Sequence, residues 1–181
     1  MKILYQGSPG AYSHLAALDV YPDAEIVPCK TFDECFSRAQ QDEKLKIIIP
    51  ESNKTTGNIG IEHLIFKYRL NIYAEHFHKI EHNLLGLPGS KITDIKNVLS
   101  HEQGLSQCSN FIKKNNLIEN VRADTAGSAE LVSKNKKISD AAIASKLSAK
   151  IYLLEIIVSG IENEKGNTTR FLIMGKSIQQ P

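Results

Sequence analysis

Two patterns of hydrophobic and polar residues alternate along this chain. Short apolar runs are typical of strands, and longer stretches have apolar residues at helical spacing. The first run, Lys2 to Gln6, leads through a turn rich in glycine and serine into a helical stretch from Tyr12 to Tyr21. A second run from Ala24 to Cys29 precedes a helix predicted over about 32–40, for which Thr31 is the expected N-cap. Strands followed by helices in this order predict an α/β fold.

The most apolar run, Ile47 to Ile49, ends at Pro50 and is typical of a central strand in a largely parallel sheet that is covered on both faces. Small and polar residues follow it from Glu51 to Gly57, before a helix predicted from about Ile59 to Lys67. Ligands usually bind beyond the carboxyl ends of such strands. The sequence therefore predicts a ligand site in segment 51–57.

The regular pattern loosens between Asn71 and Pro88, and we place the crossing into a second lobe there. The expected division is a first lobe of about 1–72 plus 162–181 and a second lobe of about 73–161. The last strand is expected to return to the first lobe. In order, the remaining predicted elements are a strand at 98–100, a helix at 101–114, a strand at 118–123, a helix at 125–134, a strand at 141–144, a helix at 146–152 and strands at 155–161 and 170–174.

Composition excludes several classes of protein. With 41% hydrophobic and 23% charged residues the chain is typical of a soluble globular protein, and a net charge of +2 is too small to indicate a nucleic-acid partner. No segment approaches the ~18 apolar residues of a membrane span, and the N-terminus does not have the pattern of a signal peptide. Cys29, Cys35 and Cys108 are expected to be free thiols, because an odd count without paired spacing suits a reducing compartment. These features predict a cytoplasmic enzyme or binding protein.

Four polar clusters stand at predicted strand ends: Gly7–Ser13, Ser52–Gly57, Ser100–Gln107 and Asn167–Arg170. Three of them are expected to open directly into helices, whose N-terminal N–H groups favour carboxylates or phosphates. Each cluster taken alone can also be an N-cap and a turn without a ligand. Four clusters in one small chain favour a binding site.

The clusters are rich in hydroxyls and amides and poor in groups that titrate near neutrality, which favours a reaction driven by the substrate itself. Decarboxylation with loss of a leaving group meets that condition. Arg170 has the bidentate fork to hold a substrate carboxylate, although a surface salt bridge explains it equally well. His76 and His78 alternate on one strand face, but no carboxylate or cysteine is spaced to complete a metal site, so we expect none. A G-x-S-x-G elbow for serine catalysis does not occur.

Six ordered blocks resemble the catalytic domain of the prephenate dehydratase family, from Leu4 to about Met174. The blocks are GSPGAYSHLAA, TFDECFSRA, IIPESNKTTGNI, IEHNLLG, SHEQGLSQCSNFI and NTTRFLIM. The resemblance implies two α/β lobes similar to a type II periplasmic binding protein, with mostly parallel sheets and the active site in the cleft between the lobes. It also implies no cofactor, a small-molecule substrate, no nucleic-acid or membrane partner, and a homodimer.

Position by position, the resemblance makes Thr169 of NTTRF the catalytic residue. It assigns the substrate-binding residues Asn53, Thr55, Ser100, Gln103, Gln107, Arg170 and Phe171. The implied reaction removes water and carbon dioxide from prephenate to form phenylpyruvate in L-phenylalanine biosynthesis. Thr169 would donate or relay a proton to the departing hydroxyl, while Arg170 and helix N-termini would hold the carboxylates.

Three departures from the family pattern change these expectations. Ser52 stands where glutamate is usual, with Glu51 one place earlier and Lys54 in place of a hydroxyl residue, and Glu102 replaces a proline. Only about ten residues follow Phe171, so the phenylalanine-binding regulatory domain of most relatives is expected to be absent from this chain.

The resemblance leaves alternatives open. Arogenate dehydratases and prephenate decarboxylases share the fold, and a non-catalytic protein that binds aromatic acids is a further candidate. The retained NTTRF signature favours a dehydratase over a decarboxylase, and Ser52 is the feature that best supports a binder.

Overall fold

Residues 1–176 are described by the computed structural model, and they form strands and helices in the alternating order that the sequence predicts. The strands are β1 (Lys2–Gln6), β2 (Glu25–Cys29), β3 (Leu45–Asn53), β4 (Gly57–Asn58), β5 (Asn71–Lys79), β6 (Asn83–Gly86), β7 (Asn97–Ser100), β8 (Ile118–Val121), β9 (Asp140–Ala144), β10 (Glu155–Val158) and β11 (Thr168–Gly175). The helices are α1 (Tyr12–Val20), α2 (Phe32–Gln41), α3 (Glu62–Tyr68), α4 (Glu102–Gln107), α5 (Ser109–Lys114), α6 (Thr125–Asn135) and α7 (Lys146–Ile151), with a 3-10 helix at Ile92–Asp94.

The first unit comprises residues 1–8, 12–80 and the described residues from Asn167 onward. Its sheet has the strand order β2-β1-β3-β11-β5, and β4 pairs back onto β3. Ile47, Ile48 and Ile49 are fully buried in the middle strand β3, as their continuous apolar run predicts. One face of the sheet packs against α2 and α3, and α1 packs on β1, β3 and β5.

The second unit comprises residues 9–11 and 81–166, and its sheet has the order β10-β6-β9-β7-β8. Alternate residues of β9 enter two separate cores. Ala141 and Ile143 pack with the residues around Leu105, whereas Ala142 and Ala144 pack with those around Val132. Small side chains let helices approach both faces of this central strand, which explains its alanine-rich sequence.

Both sheets are mixed, which corrects the expectation of mostly parallel sheets. β1 pairs in parallel with β2 and β3, whereas β11 is antiparallel to β3 and β5, and β6 is antiparallel to β9 and β10. The crossing segments explain the direction of β11. The chain leaves the first unit at Ile80 and re-enters it at Asn167, and these residues are joined by a 2.9 Å backbone hydrogen bond. A strand that re-enters beside the exit of β5 must run antiparallel to it.

The unit boundaries lie at 80/81 and 166/167, not near 72 and 162 as the sequence pattern suggested. Most of β5 falls in the predicted second lobe, but β5 pairs with β11 of the first sheet along its length. Its burial pattern alternates, and as an edge strand it lacks the continuous apolar run that identified β3. The periodicity alone therefore did not assign it to the first sheet.

The helix predicted over 101–114 is broken at Cys108 into α4 and α5. The Asn163 side chain occupies the break. Its Oδ1 accepts from the Asn110 N–H at 3.0 Å, and its Nδ2 donates to the Ser106 carbonyl at 3.2 Å. Its own N–H donates to the Gln107 carbonyl at 2.7 Å. Asn163 thus satisfies backbone groups that the interruption exposes, and a helical-period reading could not detect a residue more than fifty positions away.

The N-cap prediction at Thr31 is confirmed, because its Oγ1 accepts from the Glu34 N–H at 3.1 Å. The Glu34 carboxylate accepts from the Lys30 N–H at 2.8 Å instead of closing a capping box on Thr31.

The three cysteines are buried and form no disulfide, which confirms the expectation of free thiols. Burial raises the pKa of the Cys108 thiol to about 12 and also raises the pKa values of Cys29 and Cys35.

Candidate active site

In the first unit, three neighbouring strands place Asn53, Thr169 and His78 in one row. Thr169 of β11 lies opposite Asn53 of β3 on one side and opposite His78 of β5 on the other. Residues directly opposite on antiparallel strands carry their side chains on the same face. The row therefore gathers a carboxamide, a hydroxyl and an imidazole on one sheet face.

The Asn53 carboxamide is held at both ends. Its Nδ2 donates to Thr169 Oγ1 at 2.8 Å, and its Oδ1 accepts from the backbone N–H groups of Thr55 at 2.9 Å and Thr56 at 3.2 Å. A hydroxyl that accepts a hydrogen bond keeps its own proton for donation. Thr169 is 6% exposed, so this donor is held in a largely buried position.

Thr55 contributes its backbone to this arrangement, and its side chain is exposed. Segment 52–57 forms a hairpin with β4, where Ser52 pairs with Asn58 and Asn53 with Gly57. The expectation that this cluster opens directly into a helix is wrong, since α3 begins only at Glu62. The turn residues Thr55 and Gly57 fold the chain back before helical spacing begins.

Arg170 lies on the opposite sheet face from Thr169, because successive strand residues alternate. Its Nε donates to Glu75 Oε2 at 2.7 Å, and its Nη1 lies 3.3 Å from Glu51 Oε2. These two carboxylates hold the pKa of Arg170 above its ordinary value. The geometry favours the salt-bridge interpretation of Arg170 over the substrate-carboxylate interpretation.

The Phe171 side chain lies on the same sheet face as Thr169, but it is only 1% exposed. A side chain this buried packs within the protein, so its predicted contact with substrate finds no support in the described geometry.

Ser52 donates to the Glu51 carboxylate at 2.6 Å. Glu51 is thereby shared between Ser52 and Arg170.

In the second unit, Ser100 is fully buried at the end of β7, and its Oγ donates to the Ile143 carbonyl at 2.7 Å. This bond ties β7 to β9. Gln103 is exposed in the first turn of α4, where its N–H donates to His101 Nδ1 at 3.2 Å. Neither predicted residue contacts Gln107 by a hydrogen bond among those described for this unit, and Ser100 has a structural role here.

Gln107 is held by His82, a residue that our site prediction missed. The His82 Nε2 lies 2.8 Å from Gln107 Oε1, and the His82 N–H donates to the buried Glu162 carboxylate at 3.0 Å. Burial lowers the pKa of His82, so the neutral ring is favoured. A neutral ring with its proton on Nε2 donates to Gln107 Oε1. The block IEHNLLG contained the signal, a polar residue at the start of a buried strand.

The expectation that no carboxylate accompanies His76 and His78 is wrong. Asp19 of α1 places Oδ2 2.8 Å from His78 Nδ1 and 3.5 Å from His76 Nε2. Among residues 1–176, this is the group of side chains whose ligand atoms are spaced for a metal ion. Asp19 lies 57 positions before His76 in the sequence, so local spacing could not reveal it.

Thus the first unit brings together Asn53, Thr55 and Thr169, and the second joins Gln107 to His82. That the two groups share a cleft stays a prediction. None of the helices that the structure describes is both long and apolar enough to span a bilayer.

The sequence profile described as "Prephenate dehydratase" matches residues 3–179. This chain belongs to the prephenate dehydratase family. It is 42% identical over 184 residues to arogenate dehydratase/prephenate dehydratase 1, chloroplastic, of Arabidopsis thaliana, with 100% of this chain and 46% of that protein covered. This chain thus spans less than half the length of that curated relative.

Several solved structures are also similar to this chain. GqqA, described as a novel type of quorum quenching acylase, is 34% identical with a TM-score of 0.91, covering 99% of this chain and 66% of that chain. Prephenate dehydratase from Staphylococcus aureus subsp. aureus Mu50 is 26% identical with a TM-score of 0.85, covering 100% and 68%. A nutrient binding protein from Burkholderia cenocepacia, 8% identical with a TM-score of 0.50 over 97% and 84%, is similar in fold alone. These likenesses confirm the expected α/β fold class.

Proposed function

We propose that this chain is a dehydratase of L-phenylalanine biosynthesis that converts prephenate into phenylpyruvate. The observation that carries the proposal is the 2.8 Å hydrogen bond from Asn53 Nδ2 to Thr169 Oγ1, which leaves the hydroxyl proton of Thr169 for donation. Membership of the prephenate dehydratase family supports the same reaction class.

The reaction places one demand on the protein. As the bond from the ring to its carboxylate breaks, the electron pair enters the ring and expels the ring hydroxyl, releasing carbon dioxide. The departing hydroxyl needs a proton to leave as water. Thr169 donates or relays that proton and regains one from solvent. Because aromatisation drives the step, a strong general base is unnecessary.

The surroundings of Thr169 suit this role. Its near-complete burial lowers the local dielectric, which strengthens a hydrogen bond to a developing hydroxide. Asn53 cannot take the proton of Thr169, because an amide N–H is a donor. We propose Asn53 as the residue that fixes the direction of the Thr169 hydroxyl.

Gln107 is our proposed substrate contact in the second unit. Its carbonyl oxygen lies 2.8 Å from His82 Nε2, and the family resemblance assigns Gln107 to substrate binding. His82 is a positioning residue in this proposal, since it acts on the orientation of the Gln107 amide.

The experiment compares wild-type protein with Thr169→Ala, Thr169→Ser and Thr93→Ala on prephenate, with phenylpyruvate followed by its absorbance in alkali. We expect Thr169→Ala to lower kcat at least about 100-fold, because a positioned proton donor contributes that much. Thr169→Ser keeps a hydroxyl and should retain part of the activity. Thr93 lies in the 3-10 helix of the second unit, so Thr93→Ala is the matched control. Wild-type kcat in Thr169→Ala would contradict the proposal.

Arogenate is the alternative substrate, since relatives of this chain are named for arogenate, for prephenate or for both. Parallel assays with the two compounds distinguish them, because arogenate yields phenylalanine and prephenate yields phenylpyruvate. Loss of carbon dioxide without aromatisation would indicate a decarboxylase, and binding without turnover would indicate a binding protein.

The likeness to GqqA adds a second candidate, an acylase of the quorum-quenching kind. An acylase that uses a hydroxyl nucleophile needs a base to remove its proton. Among the hydrogen bonds described for the first unit, none joins the Thr169 hydroxyl to a base, so we rank this candidate second. The same preparations should be assayed on acylated quorum-sensing signals.

We further propose a homodimer and a cytoplasmic location, both drawn from the family resemblance and the composition. The Arabidopsis relative is named as chloroplastic, so location does not follow from membership of the family. Light scattering on a sizing column tests the dimer, and a monomer at micromolar concentration would contradict it.

A further inference from the structure

We propose that Asp19, His76 and His78 form a binding site for a divalent transition-metal ion such as Zn²⁺. The three side chains come from two elements that pack together in the first unit, α1 and β5. Their ligand atoms all lie within 4.8 Å of one another. His78 lies opposite Thr169, but the inference does not rest on the proposed reaction, because it is argued from this geometry alone.

The distances are close to those that a metal requires. Ligands about 2.0–2.1 Å from a tetrahedral Zn²⁺ are separated by roughly 3.3 Å. Asp19 Oδ2 lies 2.8 Å from His78 Nδ1 and 3.5 Å from His76 Nε2. The third separation, between the ring nitrogens of His76 and His78, is within 4.8 Å, so small rotations about side-chain bonds can bring all three ligand atoms to a metal ion.

His76 provides a second and independent observation. Its Nε2 atom is buried and has no hydrogen-bond partner among the described residues, although its side chain is 25% exposed overall. A buried ring nitrogen without a partner is costly, and coordination of a metal ion would satisfy it. The nearby Asp19 oxygen is too poorly placed to accept a hydrogen bond from it, but it can share a cation with it.

The scaffold and the ligand types favour Zn²⁺ and its neighbours in the first row. His76 and His78 are two residues apart on β5 and project from the same face, and β5 is fixed by its pairing with β11. Two imidazoles and one carboxylate suit Zn²⁺, Co²⁺ or Ni²⁺, whereas Mg²⁺ and Ca²⁺ prefer oxygen ligands. Three protein ligands leave a coordination position open to water or an anion.

The alternative is an ion pair without metal, in which Asp19 accepts from a protonated His78. This alternative predicts that Zn²⁺ does not bind tightly to the folded chain. It accounts for the short contact of Asp19 with His78, but not for the buried His76 Nε2 atom.

The test is calorimetric titration of Zn²⁺ into the metal-stripped chain of 181 residues at pH 7.5. We expect one equivalent to bind, and each of His76→Gln, His78→Gln and Asp19→Asn to weaken binding at least about tenfold. His63→Gln is the matched control, because His63 is exposed on α3 in the same unit and its ring contacts the Gly60 carbonyl. That variant should bind Zn²⁺ like wild type.

Co²⁺ gives a second readout that does not depend on affinity. Coordination by nitrogen and oxygen ligands should produce visible d–d absorption, without the intense near-ultraviolet band of thiolate ligation by a cysteine. Circular dichroism of the metal-free variants checks their folding. The absence of stoichiometric binding to folded wild type, or unchanged binding by a folded His76→Gln/His78→Gln double variant, would overturn the proposal.

Discussion

Asn53 and Thr169 are 116 positions apart in the sequence, yet the Asn53 amide donates to the Thr169 hydroxyl at 2.8 Å. The contact follows from the antiparallel pairing of β3 and β11, which sets the two residues opposite each other. The amide oxygen of Asn53 is fixed by the turn at Thr55, so the direction of the donor is set as well.

The first prediction concerns this hydrogen bond. Asn53→Ala should lower kcat about 10- to 100-fold with a smaller change in KM, because the Thr169 hydroxyl loses its orientation while other substrate contacts remain. Steady-state kinetics on the preferred substrate measure the effect. Asn71→Ala is the control, because Asn71 donates to the Lys176 carbonyl at the far end of the sheet. An Asn53→Ala enzyme with wild-type kcat would show that the contact has no role in turnover.

The second prediction concerns Arg170. Because its guanidinium pairs with Glu75 and Glu51 on the face opposite Thr169, Arg170→Met and Glu75→Gln should show coupled effects on the free energy of unfolding. Urea titrations of the two single variants and the double variant measure the coupling. The coupling free energy should be smaller in about 1 M salt, since salt screens the interaction of exposed charges. Additive effects together with a large increase in KM would instead support a role in binding substrate carboxylates.

The third prediction concerns Ser100. Ser100→Ala should lower the free energy of unfolding by about 1–3 kcal/mol, because it removes the donor to a buried Ile143 carbonyl. Ser106→Ala, on the exposed surface of α4, is the control and should change stability by less than about 0.5 kcal/mol. Chemical denaturation monitored by circular dichroism measures the free energy of unfolding of both variants. Equal stabilities of the two variants would remove the structural role of Ser100.

The fourth prediction is a pH dependence of stability that arises from His82. Burial lowers the pKa of this ring in the folded state, so between its folded pKa and the ordinary value of 6.5 the unfolded chain binds more protons. Stability should therefore fall as the pH decreases below 6.5, by at most about 1.4 kcal/mol per pH unit for one proton. Unfolding by urea at several values between pH 5 and pH 7.5 measures the slope.

His82→Gln should have a shallower slope over this range, whatever its stability at pH 7.5. Asn71→Ala should keep the wild-type slope, because it removes no group that titrates between pH 5 and pH 7.5. A His82→Gln protein with the full wild-type slope would assign the pH dependence to other groups. His14, whose pKa burial also lowers, would be the next residue to substitute.

Much of the fold is encoded by patterns within a few residues. The run at Ile47–Ile49 identified the central strand of the first sheet, and Thr31 identified the start of α2. The helix predicted at 125–134 is confirmed to within a residue as α6, which starts at Thr125 with Asp124 as its N-cap. Such signals are readable because burial periodicity and capping depend on neighbours along the chain.

The two-residue period of a strand decides which side chains of the site share a face. Side chains alternate along a strand, so Thr169 and Arg170, the second and third residues of β11, face opposite sides of the sheet. The same rule indicated that His76 and His78 share a face. The period that places the two histidines is evident from the sequence, whereas the strand predicted at 170–174 begins after Thr169, and neither pattern identifies the neighbouring groups.

The sequence by itself determined most of the strands and helices, the buried central strand at Ile47–Ile49, and the order of the family's blocks. Only the tertiary structure decided that β11 runs antiparallel beside β3, that Asp19 joins the two histidines, and that His82 holds Gln107. These contacts join segments far apart in the chain, and their register is set by how whole sheets and helices pack. Local propensity contains no information about which distant strand becomes the neighbour, so the chemistry of the site emerges only when the sheets form.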